Sequence, residues 1–178
     1  MCAALTGCST NSSADDPRHA PPSTTSATVS GSPSTRSAAP SPDPGAPIEA
    51  AYRKYWEEKV KAYAKASVQG TDLKKYAVAE AFTAAEMEVQ ALKTKGLVAT
   101  GKPVLAPKVT SVDNKRKVPQ GTLSDCTDVS GWTLVQQSNG ADVTLPDDRL
   151  TRYVTKAVAE KWYGRWVIVK VTPEDRSC

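Results

Sequence analysis

Glu160-Lys161-Trp162-Tyr163-Gly164-Arg165-Trp166-Val167-Ile168-Val169-Lys170-Val171, near the C-terminus, reads as a hairpin that passes from the rim of a sheet to its centre. A polar arm ends in Trp162-Tyr163 and reaches Gly164, the residue best able to turn. The β-branched run that follows is dense enough to lie buried. Strict alternation places Val167, Val169 and Val171 on the concave, helix-facing side and Trp166, Ile168 and Lys170 on the other.

Upstream, the same period of two recurs in shorter pieces. Arg149 to Lys161 forms the arm entering the hairpin. Gln120 to Val135 is a strand or strand pair, with Leu123, Asp125, Thr127 and Val129 on one side and Thr122, Ser124, Cys126 and Asp128 on the other; Ser130-Gly131 interrupts it before Trp132-Thr133-Leu134-Val135. Leu97 to Ala99 leads into Val104 to Val112, a strand in which Pro107 marks an edge or a bulge. Asn139-Gly140 is a hairpin signal. Asp113-Asn114-Lys115-Arg116-Lys117 is a polar turn, read first as solvated and second as a contact for phospholipid head groups or an anionic wall polymer.

Before Leu97 the period is helical. Tyr52, Trp56, Val60 and Tyr63 form an aromatic stripe on a helix from Ile48 to about Val68, with Arg53, Lys54, Glu57, Glu58, Lys61 and Lys65 on the solvated remainder and Gly70 as its stop. Such a stripe is first a core face and second the wall of a pocket. Thr71-Asp72 offers an N-cap for a short helical turn and then a longer helix ending near Lys95-Gly96. Val78, Phe82, Ala85, Val89 and Leu92 recur on the buried face of that helix. Helices followed by antiparallel strands predict an α+β domain, its helices laid on one face of a curved sheet.

Composition divides the chain of 178 residues into three parts. Residues 9–47 are Ser, Thr, Ala, Pro and Gly with almost no large apolar side chain, and eight of the thirteen prolines fall there. Such a segment cannot bury enough surface to offset its ordering entropy and reads as a disordered tether. Residues 48–178 form the globular domain. The chain carries 23 Lys and Arg against 19 Asp and Glu; setting aside the two basic and three acidic residues before Ile48 leaves +5 on the domain. The excess is mild and its single-sign runs are short, so no nucleic-acid footprint is expected.

Residues 1–8 carry the third part. Leu5-Thr6-Gly7-Cys8 matches the lipobox of bacterial lipoproteins, in which small residues precede a cysteine that is lipidated. A signal peptide also needs a basic and an apolar region, which Met1 to Gly7 does not supply in full, so the expected true start lies upstream of Met1. With that start, the protein sits on the extracytoplasmic face of the cell membrane, lipid-anchored through Cys8. With Met1 as the start and no signal upstream, it is cytosolic. In an exported chain, Cys126 and Cys178 remain as an even pair and are expected to form a disulfide, the alternative being two free buried thiols.

The helix pair, the Asp125-Cys126-Thr127-Asp128-Val129-Ser130-Gly131-Trp132 segment, and Arg149-Leu150-Thr151-Arg152-Tyr153 with Trp162-Tyr163-Gly164-Arg165-Trp166-Val167-Ile168 resemble a group of small secreted lipoproteins of Gram-positive bacteria whose function is unassigned. More distantly, helices followed by strands that end in Gly-Arg-Trp-Val resemble the cone-shaped nuclear transport factor 2-like fold, which includes ketosteroid isomerases and SnoaL-type polyketide cyclases as well as non-enzymatic accessory modules. The resemblance implies a pocket between helices and concave sheet, for which Tyr52, Trp56, Phe82 and Tyr153 are candidate lining residues. Dimers are common in that fold, so the outer Trp166-Ile168 pair reads either as a homodimer surface or as an ordinary satellite cluster.

An isomerase or cyclase of that fold needs a carboxylate base in an apolar cavity and a hydrogen-bond donor. Asp72, Asp125 and Asp128 are the candidate bases, and Tyr52, Tyr55 and Tyr153 the candidate donors. Asp125 and Asp128 sit in a turn-rich stretch and read first as surface or strand-end residues, so no residue is assigned a catalytic role. His19 is the only histidine and lies in the tether. A Ser-His-Asp or Cys-His triad and a His-based zinc site are thereby excluded from the domain, and no phosphate loop or EF-hand spacing occurs, so neither cofactor nor metal is expected. Two functions stay open. The first is a non-catalytic binding or accessory module at the cell envelope, holding a small hydrophobic ligand or an envelope protein. The second is a small isomerase- or cyclase-type enzyme using a buried Asp.

Overall fold

A computed structural model describes residues 43–178; Cys8 and nearly all of the tether lie outside the described residues. Three helices precede six strands: α1 (Ala46–Lys65), α2 (Leu73–Tyr76), α3 (Ala79–Thr94), β1 (Leu97–Gly101), β2 (Lys108–Asp113), β3 (Gln120–Asp128), β4 (Trp132–Gln136), β5 (Arg152–Trp162) and β6 (Arg165–Pro173). The class is α+β, with every strand pairing antiparallel.

The strands form two sheets rather than one curved sheet. β2-β3-β5-β6 is four-stranded, and β1 pairs only with β4. Residues 120–135, which read as a strand or strand pair, therefore divide between the two, with the break at Ser130-Gly131 taking the chain from one sheet to the other. Gly101 permits the close crossing there. Its φ is +74°, and a side chain at that position would collide with the Gly131 carbonyl.

α1 starts two residues before the expected domain boundary, with Pro47 in its first turn. It also stops before Gly70: Ala66 takes the left-handed conformation at φ 46° and its N–H caps the Ala62 and Tyr63 carbonyls. The aromatic stripe is core, as Tyr52, Trp56 and Tyr63 are buried, but so are Tyr55, Glu58 and Lys59. The buried sector is wider than one stripe because α1 packs on both sheets and on the two other helices. One cluster gathers Ile48, Tyr52, Tyr55, Trp56, Leu123 and Ile168, and a second gathers Ala62, Tyr63, Val89, Leu92 and Leu97; Trp132 packs against both.

On β3 the expected faces hold, with Leu123, Asp125, Thr127 and Val129 buried. On β6 they do not. The register slips between Val158 and Ala159, which pair with Lys170 and Ile168 and leave Val169 as an extra residue. This bulge shifts the side-chain phase by one. Trp166 and Ile168 thus join the inner cluster with Val171, Val167 and Val169 take the other face, where Val167 is still buried, and the Trp166-Ile168 pair is unavailable as a dimer surface. The strand expected from Val104 begins only at Lys108, since Val104 makes an isolated bridge to Asp128. Asn139-Gly140 does turn the chain, but its returning arm bridges only Val135 to Asp142 and forms no strand.

The chain ends by running back along β5. Glu174 N–H donates to the Val154 carbonyl at 2.8 Å, and Val154 N–H to the Arg176 carbonyl at 2.9 Å. Cys178 is then disulfide-bonded to Cys126 on β3, with the two Cα atoms 5.8 Å apart. Such a bond belongs to an oxidising environment. Among the described residues, no helix is long and apolar enough to cross a membrane.

Candidate functional site

Between α1, α3 and the inner faces of β5 and β6 lies a cavity of about 160 Å³, lined among others by Tyr55, Trp56, Lys59, Glu88, Trp132 and Tyr153. Residues 55, 56 and 59 share a flank of α1 by helical spacing. Glu88 comes from α3, Tyr153 from the start of β5, and Trp132 from the first position of β4, carried inward by the switch between sheets.

Lys59 is the distinctive member. Only 8% exposed, it holds its ammonium 4.9 Å from the Trp56 ring centroid, 5.3 Å from that of Tyr63 and 5.9 Å from that of Tyr55. Its Nζ meets Glu88 Oε2 at 3.0 Å. Burial opposes the charge, but Tyr55 and Glu88 together outweigh it and hold the ammonium above the usual lysine range. The aromatic faces contribute as well, since ring quadrupoles attract a cation and do so more strongly away from water. Trp56 and Trp132 meet edge to face at 5.9 Å, and among the described residues neither indole Nε1 finds a partner, nor does the Tyr63 hydroxyl. The cavity wall is therefore largely aromatic and apolar, and it is marked by the Lys59–Glu88 ion pair.

Asp125 sits behind this wall, 2% exposed, which corrects its reading as a surface or strand-end residue: its place mid-strand on the inner face of β3 turns it inward. Oδ2 accepts from Tyr52 at 3.1 Å and from Thr127 at 2.9 Å, and Oδ1 accepts from Ala106 N–H at 2.6 Å. Because the Thr127 hydroxyl donates to Asp125, the 2.8 Å contact between the Thr127 and Thr155 hydroxyls has Thr155 as donor. Thr155 lines the cavity, but Asp125 does not. Burial and the adjacent Asp125 charge push the Tyr52 phenol far above its usual range, so it remains a donor.

The residues expected to line a pocket separate accordingly. Trp56 and Tyr153 do line the cavity. Tyr52 is fully buried on Asp125, and Phe82 packs into the core cluster with the Lys74 ammonium 5.2 Å from its ring. Asp72 is exposed, and Asp128 lies at the end of β3, where bonds from the Ser130 side chain and backbone keep its carboxyl below the usual range. Trp162 stands at the exposed tip of the β5–β6 hairpin, whereas Trp132 packs inward on Trp56. Lys59 and Glu88 carried only one hint in the sequence, the four-residue step from Tyr55 to Lys59. A larger and more open groove of about 410 Å³ lies on the opposite flank of α1, lined by Arg53, Val60, Lys102 and Leu105 among others.

No protein-family model and no curated protein matches the chain. Among solved structures, the chain is similar to the intermembrane space region of chloroplast protein ARC6, at 16% identity and a TM-score of 0.48, over 75% of this chain and 98% of that one.

Proposed function

We propose that this protein is an exported envelope lipoprotein, anchored through Cys8, whose domain is a non-catalytic binding module of the nuclear transport factor 2-like type. The order of helices and strands, with α1 laid along the inner face of β2-β3-β5-β6, supports that fold type. The Cys126–Cys178 bond together with Leu5-Thr6-Gly7-Cys8 supports export and anchoring. One observation carries the module reading: the cavity around Lys59 is separated from the buried carboxylate. Asp125 already accepts three hydrogen bonds and has no face on the cavity, so an isomerase or cyclase using a buried Asp would lack that base, and the cavity carboxylate, Glu88, is paired with Lys59. The ligand is small, apolar over most of its surface, and carries an acceptor group for Lys59.

Native mass spectrometry of the protein isolated from cell envelopes tests this reading. A co-purifying small molecule is expected, and it should be lost in Ala84→Phe, which fills the cavity from α3. An adduct unchanged in that variant would place the ligand elsewhere. For the anchor, feeding cells a clickable palmitate analogue should label the protein expressed from its own locus and leave Cys8→Ser unlabelled. Equal labelling of both, or of neither, would overturn the anchor.

A further inference from the structure

The end of the four-stranded sheet opposite the C-terminal tail carries chemistry that the cavity does not use. There the β2–β3 turn and the β5–β6 turn lie side by side: Gln120 pairs with Glu160, and Lys161 N–H donates to the Pro119 carbonyl at 2.9 Å. Lys115, Arg116 and Lys117 from one turn and Lys161 and Arg165 from the other are all exposed. None of the five enters an ion pair among the described residues, and the neighbouring acids are Asp113 and Glu160.

The same end exposes apolar surface. Trp162 is 39% and Val118 38% exposed, and Tyr163 at the apex is 96% exposed. Tyr163 and Gly164 have φ of 49° and 80°, the two positive values of a type I′ turn. Asn or Asp would suit the first of these positions better, and a polar side chain would suit water better. An aromatic there satisfies neither preference. Trp162 donates its indole N–H to Glu160 at 2.9 Å, which leaves its ring face as the free surface. Amphipathic aromatics beside unpaired cations are the composition of a surface that meets a bilayer interface.

The path of the chain agrees. Ile48 packs on Gly121 and Gly45 on Val109, so the described chain enters the domain beside β2 and the start of β3. We propose that this two-turn tip docks on anionic phospholipid, with Tyr163 and Trp162 at the head-group level and the five cations over the lipid phosphates. This contact does not require acylation of Cys8, so it can fail or hold independently of the anchor.

The test uses the full chain with Cys8→Ser and vesicles of phosphatidylcholine alone or with 30% phosphatidylglycerol. Sedimentation should show binding to the anionic vesicles only, weakened by raising the salt to 0.5 M. Replacing Lys115, Arg116 and Lys117 together by Glu should reduce the partition coefficient by roughly 100-fold or more, at about fivefold per neutralised cation near the surface. Brominated phosphatidylcholine, mixed into the anionic vesicles, should quench tryptophan fluorescence, and Trp162→Phe should abolish that quenching, because the other three tryptophans are buried or half-buried. Tyr163→Asn, which suits the turn, should weaken binding while leaving the thermal midpoint equal or higher. Absence of binding at low salt would overturn the proposal, as would equal binding to neutral vesicles. So would tighter binding to a soluble polyanion such as poly(glycerol phosphate) with no quenching by brominated lipid, which would make the tip a polymer site.

Discussion

Glu58 is a carboxylate held almost out of water. One oxygen accepts Asp72 N–H at 2.7 Å, and the other takes the Lys61 ammonium. Burial acts to raise its pKa, but the bonds from Lys61 and the Asp72 backbone outweigh it and hold the carboxyl below the ordinary glutamate range. A depressed folded-state pKa contributes stability that is present above the unfolded value and lost as pH falls through the folded one. Glu58→Gln should therefore cost about 1–2 kcal/mol in urea melts at pH 7, and the gap to the parent should close below about pH 4. Tyr52→Phe is a second single-atom test. Loss of the hydroxyl that donates to Asp125 should cost about 1–2 kcal/mol with no change in the denaturant slope. Neither site could be placed from local pattern: the helical period assigns Glu58 to solvent, and only the return of the chain at Asp72 encloses it.

Hairpins and caps decide matters at the scale of elements. The C-terminal tail is pinned to the edge of β5 by two backbone bonds and to β3 by the disulfide, which closes a loop with a sequence separation of 52. In the chain-entropy view, the Cys126→Ala, Cys178→Ala double variant should lose about 4 kcal/mol, read by chemical denaturation against the oxidised parent. Reduction with dithiothreitol should lower the parent by a similar amount and leave the variant unmoved. The hairpin tip was legible from Tyr163-Gly164 alone because a turn is a local event. The bulge at Val169 was not: nothing in Val167-Ile168-Val169-Lys170-Val171 marks it, and only pairing against Val158 and Ala159 shows the extra residue that turns Ile168 inward. A one-residue slip exchanges the two faces of a strand, so the dimer surface read from strict alternation disappeared with it.

At the scale of the whole domain, Trp132, with Val68, links two cores. It meets Trp56 edge to face and Tyr63 at a tilt, at 5.9 and 5.0 Å between ring centroids, and packs against both clusters. Trp132→Ala should cost about 3–5 kcal/mol. It should also decouple the sheets, so that near-ultraviolet and far-ultraviolet signals, coincident in the parent, separate along the melt. Coincident transitions in the variant would show that α1 alone suffices to couple them.

The sequence by itself determined the α+β class, the helix positions, the division of β3 into two faces and, for an exported chain, the expected cysteine pairing. Those features rest on period, turn chemistry and parity, all of which act over a few residues or on simple counts. Tertiary structure alone decided that the strands divide into two sheets, that Asp125 is enclosed, and that Lys59 sits against three aromatic rings and pairs with Glu88. Each of these depends on which distant backbone lies opposite. The energy that selects among such pairings is burial and hydrogen-bond satisfaction across the finished core, quantities that no local stretch of this chain contains.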